Sequence, residues 1–166
     1  MKPTSMCLVQ MGNKGLELVK SYPDVLPQTI IDEIVVKSMP LGAKDGDFTS
    51  NVISEDNAFS SYVFSIPSTF GRDNIGSLVA VFDNTNYSAN DVRKLFSIII
   101  SELRNNNAVD ITILAEILPT IFKSFGNKNV KIKISSVVTV EIDFTDEEKP
   151  MDTKEKIAKS LSDDMW

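Results

Sequence analysis

Apolar and polar positions along the chain alternate in short runs, switch to a helical spacing, and then switch back. Met6 to Met11 is a short apolar run and Gly12-Asn13-Lys14-Gly15 is a turn, after which Leu16, Leu18 and Tyr22 alternate with Glu17 and Lys20. This predicts a β-hairpin with a four-residue connection, stopped by Pro23 and Pro27. Pro27 is suited to open a helix, because an N–H at that position has no intrahelical partner in any case. Ile30, Ile31, Ile34, Val35 and Met39 then follow at helical spacing while Asp32, Glu33 and Lys37 face away, until Pro40 and Gly42 end the run.

A Gly-rich polar loop spans 41–47. Phe48–Ser54 reads as a strand, Glu55-Asp56-Asn57 as a turn, and Phe59–Ile66 as a half-buried strand in which apolar residues alternate with serines. After a second loop, 67–74, the nearly continuous apolar run Ile75–Phe82 is the natural centre of a sheet. Ser88 and Asp91 form a capping-box-like start, with Asp in place of Glu or Gln. Val92, Leu95, Phe96, Ile99 and Leu103 continue it as a helix. Asn105-Asn106-Asn107 breaks the run. A third helix then presents Leu114, Ile117, Leu118, Ile121 and Phe125, and Pro119 inside it should kink it or split it in two. Val130, Ile132 and Ile134 alternate with lysines, and Val138, Val140, Ile142 and Phe144 with Thr139, Glu141 and Asp143. These form one long strand or a hairpin around Ser135-Ser136.

The order is therefore strand, strand, helix, three strands, two helices and a β extension. Hairpins and a meander predict an antiparallel sheet in an α+β fold, and the later helices cover whichever face the first leaves open. Three segments are expected: a domain over 1–126, a β extension over 127–145, and a charged tail over 146–166. The tail is either disordered or a marginal helix carrying Ile157, Leu161 and Met165. Such a tail, with Trp166 beside that stripe, is also a candidate to fold back over a groove.

That order resembles the longin, or profilin-like, fold over roughly residues 6–125. Three local features sharpen the likeness. The second strand closes on an aromatic-Pro pair in Gly15-Leu16-Glu17-Leu18-Val19-Lys20-Ser21-Tyr22-Pro23. The Pro27 helix leads into a Gly-rich loop. Phe70-Gly71-Arg72-Asp73-Asn74 stands directly before the apolar strand Ile75–Phe82. Together they look like the N-terminal longin domains of the DENN, folliculin and nitrogen-permease-regulator-like proteins. Similar domains occur in trafficking proteins and in Asgard archaea. The resemblance implies a five-stranded antiparallel sheet with one helix on one face and two on the other. It also implies a partner that is a small GTPase or another longin or roadblock domain, and a role in GTPase regulation or membrane trafficking. The domains that follow the longin module in most of those proteins are not expected here, a departure from their pattern.

Composition narrows the chemistry. Histidine is absent, so no Ser-His-Asp triad or Cys-His dyad can be built. A zinc site would rest on one cysteine, Cys7, and carboxylates, a poor ligand set. Cys7 on a buried first strand is a small core residue rather than a nucleophile. It also leaves no internal disulfide, which suits a reducing compartment. The net charge of −6 disfavours nucleic acid, which needs a basic face, and Lys128, Lys131 and Lys133 form only a small patch. No apolar run reaches the roughly 18 residues that span a bilayer. The chain begins without the apolar region and cleavage site of a signal peptide. A cytoplasmic location is expected, with membrane contact only through a partner.

Four features carry candidate function. In the nitrogen-permease-regulator-like family an arginine in the loop before the last central strand is a catalytic finger, and Arg72 matches that position. Such a residue stabilises charge on a transferring phosphoryl group, for about 10³–10⁵ in rate. The favoured reading is plainer: a solvated arginine at a hairpin tip, with or without Asp73 as a partner. Gly12-Asn13-Lys14-Gly15 lacks the Lys-Ser or Lys-Thr and the following helix of a phosphate loop, so it is a turn and no cofactor is implied. Asp45, Asp47, Glu55 and Asp56 are candidate metal ligands or an acid–base pair, but they miss the calcium-loop pattern, and solvated loop charge is the better reading. The resemblance also implies a partner groove between the first helix and the edge strand Phe48–Ser54, lined by Val36, Phe48 and Val52. An open edge is a template for another chain, so homodimerisation is a second expectation.

Overall fold

The computed structural model describes residues 2–53, 56–125, 129–133 and 139–143. The two expected hairpin strands are β1 (Ser5–Gly12) and β2 (Gly15–Tyr22), followed by α1 (Gln28–Ser38). The middle strands are β3 (Phe48–Val52), β4 (Ala58–Ile66) and β5 (Asn74–Phe82). Two helices, α2 (Ala89–Asn105) and α3 (Ile111–Ser124), come next, and then β6 (Asn129–Lys133) and β7 (Thr139–Asp143).

β1 to β5 form one sheet in the order β2-β1-β5-β4-β3, antiparallel at every step. The apolar strand β5 lies at its centre, and β2 and β3 are its edges. The alternation along the strands sorts side chains into two cores. Met6, Leu8, Tyr62, Phe64, Leu78 and Phe82 gather with the buried residues of α2 and α3. Cys7, Val9, Phe59, Val63, Val79 and Val81 gather with Ile34 of α1 and Met39. The aromatic share is concentrated in the first core, where Phe125 meets both Phe82 and Phe96 edge-on. Full burial of side chains this large is worth about 1.5–3 kcal/mol each, which makes this core the main source of stability.

Helix ends follow local chemistry. Pro27 is the N-cap of α1, and its carbonyl accepts the N–H groups of Ile30 and Ile31. Ser88 Oγ accepts the Asp91 N–H at the start of α2 (3.3 Å). Asp110 caps α3 by accepting from Thr112 N (2.8 Å) and Ile113 N (3.2 Å).

The expected split of α3 does not occur, since the helix runs unbroken through Pro119. Pro119 has no N–H to give to the carbonyl of Ala115, four residues earlier. Lys20 on β2 supplies the missing donor: its Nζ lies 2.9 Å from Ala115 O. The helix is thus completed by a side chain from the sheet.

β6 and β7 pair antiparallel within 127–145, in register from Asn129 opposite Asp143 to Lys133 opposite Thr139. The Ser135-Ser136 turn, Ile134, Val138, Phe144 and the tail with Ile157, Leu161, Met165 and Trp166 lie outside the described residues. Among the described residues no helix is long and apolar enough to cross a membrane.

Candidate functional site

β3 is the less covered edge of the sheet. Among the described residues its extensive contacts are with β4 alone, and none of Phe48, Thr49, Ser50, Asn51 and Val52 is charged. The chain reaches it through a bulge, in which Gly46 and Asp47 both face Val63. Gly46 N donates to Val63 O (2.7 Å) and Val63 N donates to Asp47 O (2.8 Å). Gly46 has φ +90°, a conformation glycine adopts without side-chain strain.

Those bonds settle which way the edge faces. Asp47 bonds inward to Val63, and Ile53 bonds inward to Asn57 (2.8 Å). Bonding alternates along an antiparallel ladder, so Thr49 and Asn51, in step with Asp47 and Ile53, also bond inward to β4. Phe48, Ser50 and Val52 therefore turn their backbone N–H and C=O groups outward, away from β4.

Hydroxyl groups fasten β3 on both faces. On the side of α1, Thr49 and Ser61 share a hydrogen bond (3.0 Å), and Ser61 Oγ donates to Ser38 O (2.8 Å). On the other side, Ser50 and Ser60 share one (2.7 Å) and Ser60 shares another with the Tyr87 hydroxyl (2.8 Å). The Tyr87 ring stacks on Phe82 with centroids 3.9 Å apart, which joins this relay to the aromatic core. The adjacent serines within the apolar run of β4 were the sequence signal for it: consecutive strand residues face opposite ways, so a Ser-Ser pair can serve both faces.

A shallow groove runs between α1 and β3, lined by Val36, Lys37, Pro40, Thr49, Ser50 and Asn51. Val36 is 70% exposed beside it, and Leu41, just past Pro40, is fully exposed. The expected groove residues do not share one face. Phe48 pairs with Tyr62 and packs into the core beneath α2 and α3. Val52, in step with Phe48, is turned to that same side and is 59% exposed. Val36 stands across the strand, so the α1 side of the groove is completed by Thr49 and Asn51 instead.

No protein-family model and no curated protein matches this chain.

Arg72 lies in the loop between β4 and β5, where every residue from Pro67 to Asp73 is exposed. Phe70 is 91% exposed and Gly71 turns the chain with φ +87°. The optional pairing of Arg72 with Asp73 is not formed. Asp73 Oδ1 accepts the Ser68 N–H (3.2 Å), and the ion pairs among the described residues are Lys37–Glu33 and Arg104–Asp45.

The carboxylates near β3 are engaged in holding loops. Asp45 accepts from Ser65 N (2.9 Å) and from Arg104 Nη2 (2.7 Å), and Asp47 Oδ2 accepts from Lys44 N (2.8 Å). Partial burial acts to raise the Asp45 pKa, but the Arg104 and Ser65 donors outweigh it and hold it below the usual carboxylate value. Asp56 is exposed and Glu55 lies outside the described residues. Among the described residues no three His, Cys, Asp or Glu side chains gather around a possible metal position. Lys131 is exposed, and Lys128 lies outside the described residues. Cys7 is fully buried, and burial, with a smaller contribution from the charge of Asp24, pushes its thiol up to about 12. It is a packed side chain with almost no thiolate at neutral pH.

Proposed function

We propose that this chain is a protein-interaction domain of longin-like architecture, with the α1 helix on one face of the sheet, α2 and α3 on the other, and β6–β7 as a C-terminal extension. It acts by binding and carries no catalytic site of its own. Its partner is a small GTPase or a longin or roadblock-type domain, and its setting is GTPase regulation or membrane trafficking in the cytoplasm. The observation that carries the reading is the open edge of β3 beside the exposed Val36. Outward backbone groups offer affinity without sequence preference, and the flanking groove offers side-chain selection. The resemblance of strand order and of the Phe70–Asn74 loop to longin domains is what supports the partner class.

The test is direct binding of the purified chain to a panel of small GTPases, each loaded with GDP or with a GTP analogue, and to longin and roadblock domains. Val36→Lys should weaken a bound partner roughly tenfold or more, as loss of one anchoring contact does. Failure of every member of the panel to bind would overturn the partner class.

A second reading has its own observation. Arg72 is exposed with no ion pair among the described residues, as an arginine finger must be before it enters a partner's site. It predicts that the chain accelerates GTP hydrolysis by a bound GTPase and that Arg72→Ala abolishes the acceleration while leaving binding intact. Unchanged stimulated turnover in Arg72→Ala would remove this reading and leave the first standing.

A further inference from the structure

We propose that β3 pairs with β3 of a second copy of this chain, antiparallel and centred on Ser50. The proposal rests on the same open edge as the docking surface, but on no partner class.

The register is dictated by which backbone groups are free. Phe48, Ser50 and Val52 face outward, as derived from the bonds at Asp47 and Ile53. Rotation about an axis through Ser50 sets Ser50 opposite Ser50 and Phe48 opposite Val52 of the second copy. Every outward N–H and C=O of these residues then meets its complement, and the contact is isologous and closed.

The side chains fit the same operation. Phe48 and Val52 lie on one face of the strand, so each ring stands across from a β-branched side chain, a favourable cross-strand pairing. It covers Val52, which is 59% exposed in the single chain. Thr49 comes opposite Asn51 on the other face. The two Ser50 hydroxyls at the axis are each already held by Ser60 (2.7 Å), so no polar group is stranded. A shift by two residues would put Phe48 opposite Ser50 and leave Val52 open.

Charge permits the contact. The chain carries −6, yet Phe48–Val52 holds no charged residue and no proline to block an edge. Long-range repulsion between copies remains, so association should tighten as salt screens it.

Sedimentation equilibrium of the full chain, at rising protein concentration and at low and high salt, tests this. A reversible dimer that strengthens with salt is expected. Val52→Lys should weaken it roughly tenfold or more by placing a charge against Phe48. Ser50→Pro removes an outward N–H and leaves the β4 ladder its bonds, so it should weaken the dimer comparably while thermal unfolding shows a folded chain. Ser50→Cys should cross-link the two copies on mild oxidation, because directly opposed residues in such a pair lie about 5.5 Å apart between Cα atoms, within disulfide reach. Val36→Lys should leave the dimer unchanged. A chain that stays monomeric at millimolar concentration, or a dimer indifferent to both Val52→Lys and Ser50→Pro, overturns the proposal. Since Val36→Lys weakens partner binding and not the dimer, failure of one leaves the other standing.

Discussion

The two outer strands of the sheet are finished in different ways. β2 is covered from both sides, with α1 and α3 packed against it. Its ladder with β1 slips between Leu8 and Val9, leaving Val19 as an extra residue, and such a bulge spoils an edge as a template. Its side chains are tied down: Tyr22 meets Phe122 edge-on at 5.6 Å, and Lys20 completes the backbone of α3. It also carries charge in Glu17 and Lys20. β3 has no charge, among the described residues packs extensively only on β4, and is tied to its neighbours by hydroxyl pairs. Among the described residues one edge is covered by the fold and the other is left uncovered. Stability and availability are thus divided between opposite sides of one sheet.

If that division is real, equivalent changes at the two edges should differ in cost. Tyr22→Ala removes a ring that packs into the aromatic core and should destabilise the chain by about 3 kcal/mol, near the low end for aromatic truncation. Val52→Ala, at an exposed position, should fall within about 0.5 kcal/mol of the parent. Urea unfolding of both variants checks this, and comparable losses at the two sites would dissolve the contrast.

The Lys20 contact is the next largest. Lys20→Met leaves the Ala115 carbonyl without a donor in a half-buried position and should cost about 1–2 kcal/mol. In a Pro119→Ala background the helix regains its own N–H for that carbonyl, so Lys20→Met should then cost markedly less. A double-mutant cycle with coupling of at least about 0.5 kcal/mol is expected, and additivity would show that the lysine does not substitute for the missing helix bond.

These two edges also show where the sequence was legible. The alternation of Leu16 and Leu18 and the helical spacing of Ile30, Ile31 and Ile34 placed β2 and α1, because side-chain period follows directly from backbone geometry. The bulge at Val19, however, turns Tyr22 to the opposite face from Leu16 and Leu18. Phase was the harder quantity. Period two puts Phe48 and Val52 on the same face of β3 but does not say which face. That depends on the pairing of Phe48 with Tyr62, and a slip of one residue reverses every assignment. Val36 was therefore grouped with residues that turned out to lie across the strand. Pro119 announced a kink or a break, and the break does not occur; the repairing Lys20 lies 95 residues from Ala115, and no local pattern carries a contact of that span. Arg72 was legible as exposed. The optional pairing with Asp73 is not formed, and Asp73 Oδ1 accepts the Ser68 N–H.

A smaller effect probes how β3 is fastened. Ser60→Ala severs the relay from Ser50 to Tyr87 and leaves the half-buried Tyr87 hydroxyl without that partner. A loss of about 1 kcal/mol is expected. Amide hydrogen exchange gives the sharper readout, at protein concentrations low enough to keep the chain monomeric. In the parent chain Thr49 and Asn51 should be protected while Phe48, Ser50 and Val52 exchange quickly. In Ser60→Ala the protection of Thr49 and Asn51 should fall while that of β1 stays unchanged. Uniform protection along β3 would contradict an open edge.

The smallest effect concerns the loop that leads into β3. Asp45 joins it to β4 through the Ser65 N–H and to the end of α2 through Arg104. The folded-state pKa of Asp45 is held below its ordinary value, so folding favours the carboxylate. The resulting stability is fully present above the unfolded-chain value of about 3.9 and is lost as pH falls through the lowered folded value. Both partners in the ion pair are more than 40% exposed, so the contribution should be below about 1 kcal/mol and should shrink with salt. Asp45→Asn should therefore flatten the stability profile below about pH 4 while barely altering it at neutral pH beyond that small loss. The effect on exchange should be local: faster exchange at Ser65 and Gly46, none at β2. A change felt equally at β2 would mean that the loop and the covered edge are parts of one cooperative unit, and the division between the two sides of the sheet would then describe their chemistry but not their energetics.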